Sequence, residues 1–532
     1  MKQFEAVVAN VNDLQDGQMQ QVCVGETEVL LVRLDGNFHA VAAHCTHYKA
    51  PLAEGVLSGN HVICPWHNAC FSVVTGDQQE PPGLDSLPRY QVRIEGENII
   101  VSVPEALGLR IPSMAQYNLE ADGRTFVILG AGAAGAHAAE TLRQAGYQGR
   151  IIMVTGENKL PYDRTLLSKD YFIGQVSREQ VPLRSSEFYK EHNIEVLLNK
   201  QAVSVVPTAK TITFKDGDLL NYDALLLATG GKPRQLNIPG SDLQNLFTLR
   251  SFEDTERILA GAKKGAQAVV IGSSFIGMEA ASGLTQKGLK VTIVSPESLP
   301  FKKILGEEIG QVFQQVHEEN GVCFRLEMKV ARFEGSGMVE AVILENGERL
   351  AADIVVVGIG VQPATEFLAG LDLHPQDQSV PVNEYLCAAE GLYAAGDIAS
   401  YPDWRTGETT RVEHWRIAAQ HGRIAAYNMV GQAVKFMGVP VFWTMQFKFP
   451  LRYVGHAEQW DEIIFDGEPQ KREFIAFYIK DNQVLAAASS KRDTETAAIS
   501  ELMRLNQMPT AEVLRQGSID LVGQLHLHRQ SS

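Results

Sequence analysis

The chain has little cysteine, no long apolar run and a shortage of positive charge. Its 532 residues include six cysteines, and Cys23, Cys70, Cys323 and Cys387 are scattered in the manner of unpaired thiols in a reducing compartment. No stretch reaches the uninterrupted apolar length of a membrane span. The opening residues, Met-Lys-Gln-Phe-Glu-Ala-Val-Val, lack the apolar core of a secretion signal, so a cytosolic location is expected. With 47 Lys and Arg against 63 Asp and Glu, the net charge of −16 argues against nucleic acid or an anionic membrane as the main partner. There is no low-complexity run either. A composition 45% hydrophobic and 21% charged is that of an ordinary globular protein, and the length suffices for three or four domains.

The other two cysteines stand in a pattern. Cys45-Thr46-His47 and Cys64-Pro65-Trp66-His67 each offer a thiolate and an imidazole from one loop, with sixteen residues between the two motifs. Two such loops closing face to face give one iron two sulfurs and the other two nitrogens, which is the ligand spacing of a Rieske [2Fe–2S] centre. Neutral imidazoles in place of two thiolates make such a cluster less anionic and raise its potential above that of an all-cysteine ferredoxin. Two Cys and two His also suit a tetrahedral zinc site, and this alternative stays open at this point. The loops Cys45–Gly55 and Cys64–Phe71 resemble those of Rieske-type ferredoxins, a resemblance that covers residues 1–104. Respiratory Rieske proteins carry an extra cysteine in each loop, where this chain has Ala50 and Trp66, and two hydroxyls toward the cluster, where it has Ala69 and Phe71. Fewer hydrogen bonds to sulfur favour the oxidised form, so a low-potential centre is expected.

Proline and small residues from Pro104 through Leu109-Arg110-Ile111-Pro112 mark a linker over 105–122. Beyond it, Phe126-Val-Ile-Leu reads as a buried strand entering Gly130-Ala131-Gly132-Ala133-Ala134-Gly135 and then a helix. Glycines at these places permit a tight turn, close approach of backbone to a pyrophosphate, and close helix–strand packing. The next strand, Arg150–Thr155, lacks the usual terminal acid, and Glu157 is the candidate ribose contact. A second copy follows at Ala268–Ile271, with Gly272 and Gly277 flanking Ser274 in place of the middle glycine, and its second strand runs from Lys290 to Ser295. Two such units mean two dinucleotides.

From residue 123 onward the chain resembles the oxygenase-coupled ferredoxin reductases and the apoptosis-inducing factors; over nearly its full length it resembles the apoptosis-inducing-factor-like Rieske flavoproteins. That resemblance implies a multidomain fold: a mostly-β Rieske domain (1–104), an FAD-binding α/β domain (123–245 and 367–435), an NAD(P)H-binding domain (246–366) and an α+β C-terminal interface domain (436–532). It implies FAD contacts for Arg164 and Lys169 in Leu160–Lys169, for the backbone at Ala202, for Arg250 near the flavin, and for Asp397 on the ribityl chain. Glu413, His414, Trp415 and Trp443 match segments that wall the isoalloxazine, although Trp415 and Trp443 also suit a plain core. Glu297 and Gly360 match dinucleotide contacts in the second unit, with Lys303 beside them. The family also places a Lys–Glu ion pair beside the reactive flavin nitrogen, which assigns that role to Lys169 and Glu279.

The implied activity is transfer of electrons from NAD(P)H through FAD to the Rieske centre and on to a redox partner, such as a non-haem oxygenase, a haem monooxygenase or another redox protein, by a monomer or homodimer. NADH is expected over NADPH because Glu297 repels a 2′-phosphate, although Ser295 departs from the acid of related reductases and Lys302-Lys303 tolerate a phosphate. A disulfide-type reductase shares the fold but needs a cysteine beside the flavin, and Leu160–Asp170 has none. An NADH-responsive signalling role is a further alternative. Because electron transfer needs close centres, a mobile 105–122 linker is expected to alternate between loading and delivery. Phe474–Ile479 and Val484–Ala488 read as strands, Thr494–Leu505 as an amphipathic helix, and His526–Ser532 as a solvated tail.

Overall fold

The computed structural model describes residues 3–105, 108, 110–517 and 519–525. The expected tail at 526–532 and Leu109 of the expected linker lie outside the described residues.

The N-terminal part is built on an antiparallel six-stranded sheet whose spatial order is Gln3–Asn10, Asn98–Pro104, Arg89–Glu95, Asn37–Ala42, Thr27–Leu34, Met19–Val24. Thr27–Leu34 is rich in Val and Leu, and its buried residues fill two cores, one on each side of the sheet. A small second sheet, Val56–Ser58, His61–Ile63, Cys70–Ser72 and Gln78–Glu80, frames the loop that bears Cys64 and His67.

Two parallel sheets follow. In the first, the strands Ile194–Leu197, Arg150–Val154, Thr125–Leu129, Ala224–Leu227 and Leu392–Ala394 lie side by side in parallel. Their near-continuous apolar sequence suits a sheet covered on both faces. Helix Ala133–Gln144 packs on it and against helix Trp415–Met429 so closely that a Cβ on Gly422 would stand 2.0 Å from the carbonyl oxygen of Ala134. The second parallel sheet runs Leu246–Thr248, Ile354–Val357, Gln267–Ile271, Lys290–Val294, Cys323–Arg325, with helices Phe275–Gln286 and Glu307–Glu319. Both glycine motifs therefore stand between a first strand and its helix.

The last part is an antiparallel five-stranded sheet in the order Val441–Gln446, Phe449–Gly455, Gln483–Ser490, Glu473–Lys480, Glu462–Glu468, backed by helix Asp493–Arg504. The multidomain class expected from the sequence, β first and α/β after, is the observed one. Among the described residues no helix is long and apolar enough to cross a membrane.

The connection after Pro104 differs from a free tether. Ser86 and Arg110 form a β-bridge, the Arg110 guanidinium pairs with Asp77, and the amides of Ala115 and Asn118 donate to the carbonyls of Arg143 and Gln148 at 2.8 Å. Composition marked this stretch as a linker, and the need for close redox centres made it a mobile one; among the described residues Arg110 is instead held by the Rieske part, and the Ala115 and Asn118 amides by the first parallel domain.

Candidate active site and cluster loops

The two Cys/His loops share one backbone form. In each, the cysteine amide donates to the carbonyl five residues on (Cys45 to Ala50, 2.9 Å; Cys64 to Ala69, 2.8 Å), and the fourth residue's amide donates back to the cysteine carbonyl (Lys49, 3.1 Å; Asn68, 3.1 Å). Lys49 and Asn68 close these turns with φ of 60° and 56°. The loops bring Nδ1 of His47 to 3.1 Å from Nδ1 of His67, and bury Cys45 and Cys64 in one core. Two imidazole nitrogens held about 2 Å from one tetrahedral ion stand roughly 3.3 Å apart, so the nitrogen pair fits one iron and the sulfur pair the other. Among the described residues no three His, Cys, Asp or Glu side chains gather as for a single ion, whereas a zinc site of this type needs four ligands at one point. The donor set fits a [2Fe–2S] cluster. Ala69 and Phe71, both fully buried, carry no hydroxyl.

A cavity of about 1040 Å³ lies between the two parallel domains and the C-terminal sheet. Gly130, Gly132, Ala133 and Ala134 line it, where the first helix begins. Gly130 has a φ of 119°, and a Cβ there would meet the Ala228 carbonyl oxygen at 2.1 Å, so only glycine fits the turn. Gly135, Gly272 and Gly277 do not line the cavity. Gly135 and Gly277 let each helix sit on its strand, since a Cβ on either would stand 1.9 Å or 2.2 Å from the carbonyl oxygen of Gly130 or Gly272, and Gly272 turns with φ 108°. Ser274 caps the second helix in the extended conformation and lines the cavity.

The sequence-expected residues Glu157, Arg164, Lys169, Ala202, Arg250, Glu279, Gly360, Asp397, Glu413, His414, Trp415 and Trp443 all face this cavity. Glu297 does not, but its carboxylate accepts from Lys303, a lining residue, at 2.7 Å. The polar wall is cross-linked. Arg164 pairs with Glu157 and donates to the Arg250 carbonyl at 2.9 Å, Arg250 pairs with Asp397 at 2.7 Å, and Arg411 ties the Asp397 carbonyl (3.0 Å) to Glu413 (2.6 Å). Burial pushes the Glu413 carboxyl above its usual range and His414 down to about 3.

Lys169 Nζ lies 2.9 Å from Glu279, whose side chain is 3% exposed. The hydroxyl of Thr444 donates to the same carboxylate at 2.6 Å, and that of Ser168 also donates to it. Full satisfaction of the carboxylate by three donors is what a charge at this depth requires. Thr444 belongs to strand Val441–Gln446, whose period of two sends its neighbour Trp443 the other way. The Trp443 indole both lines the cavity and stands 4.1 Å, ring to ring, from His67 and 6.1 Å from His47. The cluster loops are thus packed on the cavity wall. Tyr48 stacks on His47 at 3.9 Å and donates to Asp163 at 3.2 Å; His47 Nε2 is 3.9 Å from the same carboxylate.

Further buried contacts fix this docking. Arg416 donates to the carbonyls of Asn68 and Pro81, each at 3.1 Å; Gln420 donates to Glu80 at 2.7 Å; Arg184 bridges Asp85 (2.8 Å) and Glu140 (3.0 Å). Sequence reading did not find Tyr48, Asp163, Arg184 or Arg416. Asp163 and Tyr48 adjoin quoted motifs, but their partners lie more than a hundred residues away in the chain, and Arg184 and Arg416 carry no local signal.

A fold of two glycine-motif sheets around one cavity, with a Cys/His centre against its wall, defines a redox flavoprotein. The chain belongs to the pyridine nucleotide-disulphide oxidoreductase family, whose model matches residues 124–422, and carries a Rieske [2Fe-2S] domain at 4–91 and a reductase C-terminal domain at 441–524. It is 41% identical over 511 residues to apoptosis-inducing factor 3 of Mus musculus, covering 94% of this chain and 84% of that protein. It is 31% identical to rhodocoxin reductase of Rhodococcus erythropolis, over 76% of this chain and 96% of the other. Among solved structures, the covalent putidaredoxin reductase–putidaredoxin complex superposes with a TM-score of 0.72 at 29% identity, over 77% of this chain and 99% of that one.

Proposed function

We propose that this oxidoreductase takes hydride from NADH at FAD in the large cavity and passes electrons singly to the Rieske centre of the same chain, for delivery to a separate redox partner. The carrying observation is Trp443, which lines the cavity and stands 4.1 Å from His67. Bound FAD supplies the conversion of an electron pair into single electrons; the chain's residues supply the positioning.

Gly130, Gly132, Ala133 and Ala134 take the FAD pyrophosphate at the helix N-terminus. Glu157 and Ala202 serve its adenosine end, and Arg164, Arg250 and Asp397 its middle. Glu413, His414, Trp415 and Trp443 wall the ring. Lys169 holds positive charge at the reacting edge, and Glu279, braced by Ser168 and Thr444, aims that lysine and receives the nicotinamide. Gly272, Gly277, Glu297 and Gly360 serve the second dinucleotide. Cys45, His47, Cys64 and His67 hold the cluster. The proposed units are 1–104, the connection 105–122, 123–245 with 367–435, 246–366 and 436–532; each large sheet falls within one of them.

NADH over NADPH is supported by the pairing of both candidate phosphate-binding lysines: Lys303 with Glu297 at 2.7 Å and Lys302 with Glu307 at 2.5 Å. A kcat/KM ratio in favour of NADPH would contradict it. Against disulfide-type chemistry, no cysteine lines the cavity among the described residues. A cytosolic setting is part of the reading, supported by six cysteines without a disulfide. The acceptor is a separate redox protein, as the names of rhodocoxin reductase and putidaredoxin reductase among its relatives suggest. The test is the Cys45→Ser variant: flavin reduction by NADH persists while NADH-driven reduction of cytochrome c falls. Equal cytochrome c reduction in both proteins would overturn the route through the Rieske centre.

A further inference from the structure

Opposite Trp443, in the neighbouring strand Phe449–Gly455, stands Arg452. The two residues pair directly, so their side chains share one face of the C-terminal sheet, the face that meets the cluster loops. Arg452 is deeply buried, its side chain 8% exposed, and its Nε has no hydrogen-bond partner among the described residues. Asp493 is 3.7 Å away, beyond hydrogen-bonding reach, and its own Oδ1 is likewise unpartnered. The contrast with Lys169 is plain, because that cation has Glu279 at 2.9 Å. Its cross-strand partner Trp443 stands 4.1 Å from His67, and Val441 and Val454, two residues along the same two strands, share a buried core with Ile63 and Cys70, which flank the Cys64–His67 loop. An arginine so desolvated and so loosely paired is costly unless an anion stands near it.

The cluster is that anion in one of its two states. Two ferric ions, two bridging sulfides, two thiolates and two neutral imidazoles sum to no charge, and one added electron leaves a single negative charge. A fixed cation beside the ligands therefore favours the reduced form. We infer that Arg452 of the C-terminal domain sets the reduction potential of the docked Rieske centre, raising it by a positive charge on the sheet face against which the Cys64–His67 loop packs. The tuning then comes from another domain than the cluster's own, and the centre is easiest to reduce while it rests against Trp443.

The inference rests on the reading of Cys45, His47, Cys64 and His67 as cluster ligands, and the test separates the two. Redox titration of the holoprotein is followed by the EPR signal of the reduced centre in wild type, Arg452→Gln, Arg452→Lys and Asp493→Asn. Loss of the charge in Arg452→Gln should lower the midpoint by at least a tenfold change in the reduction equilibrium, about 59 mV for one electron. Arg452→Lys should stay near wild type, and Asp493→Asn should move the midpoint upward. An unchanged or raised midpoint in Arg452→Gln overturns the inference while leaving the ligands in place. Should that variant lose its cluster, Asp493→Asn decides: a rise supports the inference and no rise overturns it. Absence of a Rieske-type signal from the wild type overturns the ligand reading itself.

Discussion

The indole of Trp443 lies 4.1 Å from the imidazole of His67 at a tilt of 45°, and the same indole closes the dinucleotide cavity. One side chain of the C-terminal sheet therefore touches both the large cavity and the cluster loops of the same chain.

Replacement of Trp443 by alanine should leave hydride transfer intact and slow arrival of electrons at the Rieske centre. A loss of roughly tenfold, equivalent to about 1.4 kcal/mol in the barrier, is expected. Anaerobic stopped flow with NADH separates flavin bleaching from cluster reduction, and equal slowing of both phases would assign the residue to FAD binding instead.

Glu279 and Lys169 act one step earlier. Glu279→Gln keeps the shape but removes the charge that orients Lys169 at 2.9 Å, so flavin reduction should slow while FAD content is kept. Glu279→Ala also leaves Lys169, Ser168 and Thr444 without an acceptor and should lower stability by up to about 3 kcal/mol, read as a fall in Tm.

Three buried histidines predict the acid limit. Burial holds His137 down to about 4 and His414 and His421 to about 3, from an ordinary value of 6.5. His421 Nδ1 accepts the Gly396 amide at 3.3 Å, which only the neutral ring does. The unfolded chain thus binds extra protons below pH 6.5. Their stabilisation is present above pH 6.5 and is lost as pH falls from there toward 4, by about 1.4 kcal/mol per pH unit for each ring. Tm and flavin fluorescence against pH should show this slope, with a shallower one in His421→Asn; identical slopes would exclude His421 as a source.

Arg184 joins the Rieske domain to the flavin domain through Asp85 and Glu140, all nearly buried. Arg184→Ala leaves two buried carboxylates unpaired, at a cost of about 3–5 kcal/mol. Protease cleavage within 105–122 should accelerate. Because His47 and His67 are 9% and 7% exposed when docked, the loosened protein should also expose them to external acceptors. Unchanged cleavage would show that the remaining contacts hold the domain alone.

These relationships were unequally legible in the sequence. The cluster ligands and glycine motifs are local, because metal-ligand spacing and strand–turn–helix periodicity are written in consecutive residues. Lys169 and Glu279 needed a family resemblance, since 110 residues separate them. The docking residues Arg184, Arg416, Tyr48 and Asp163 were illegible: a buried arginine looks like any surface arginine until the fold brings its acceptors to it. For the same reason the contacts of Arg110 with the Rieske part and of Ala115 and Asn118 with the flavin domain, within a segment read as a mobile tether, were not foreseen.

The central claim is tested most directly by anaerobic addition of NADH to the purified holoprotein, followed by optical and EPR spectra. The account predicts bleaching of the flavin together with a Rieske-type EPR signal within the same protein. Bleaching with a cluster that stays oxidised toward NADH, yet is reduced by dithionite, would contradict it.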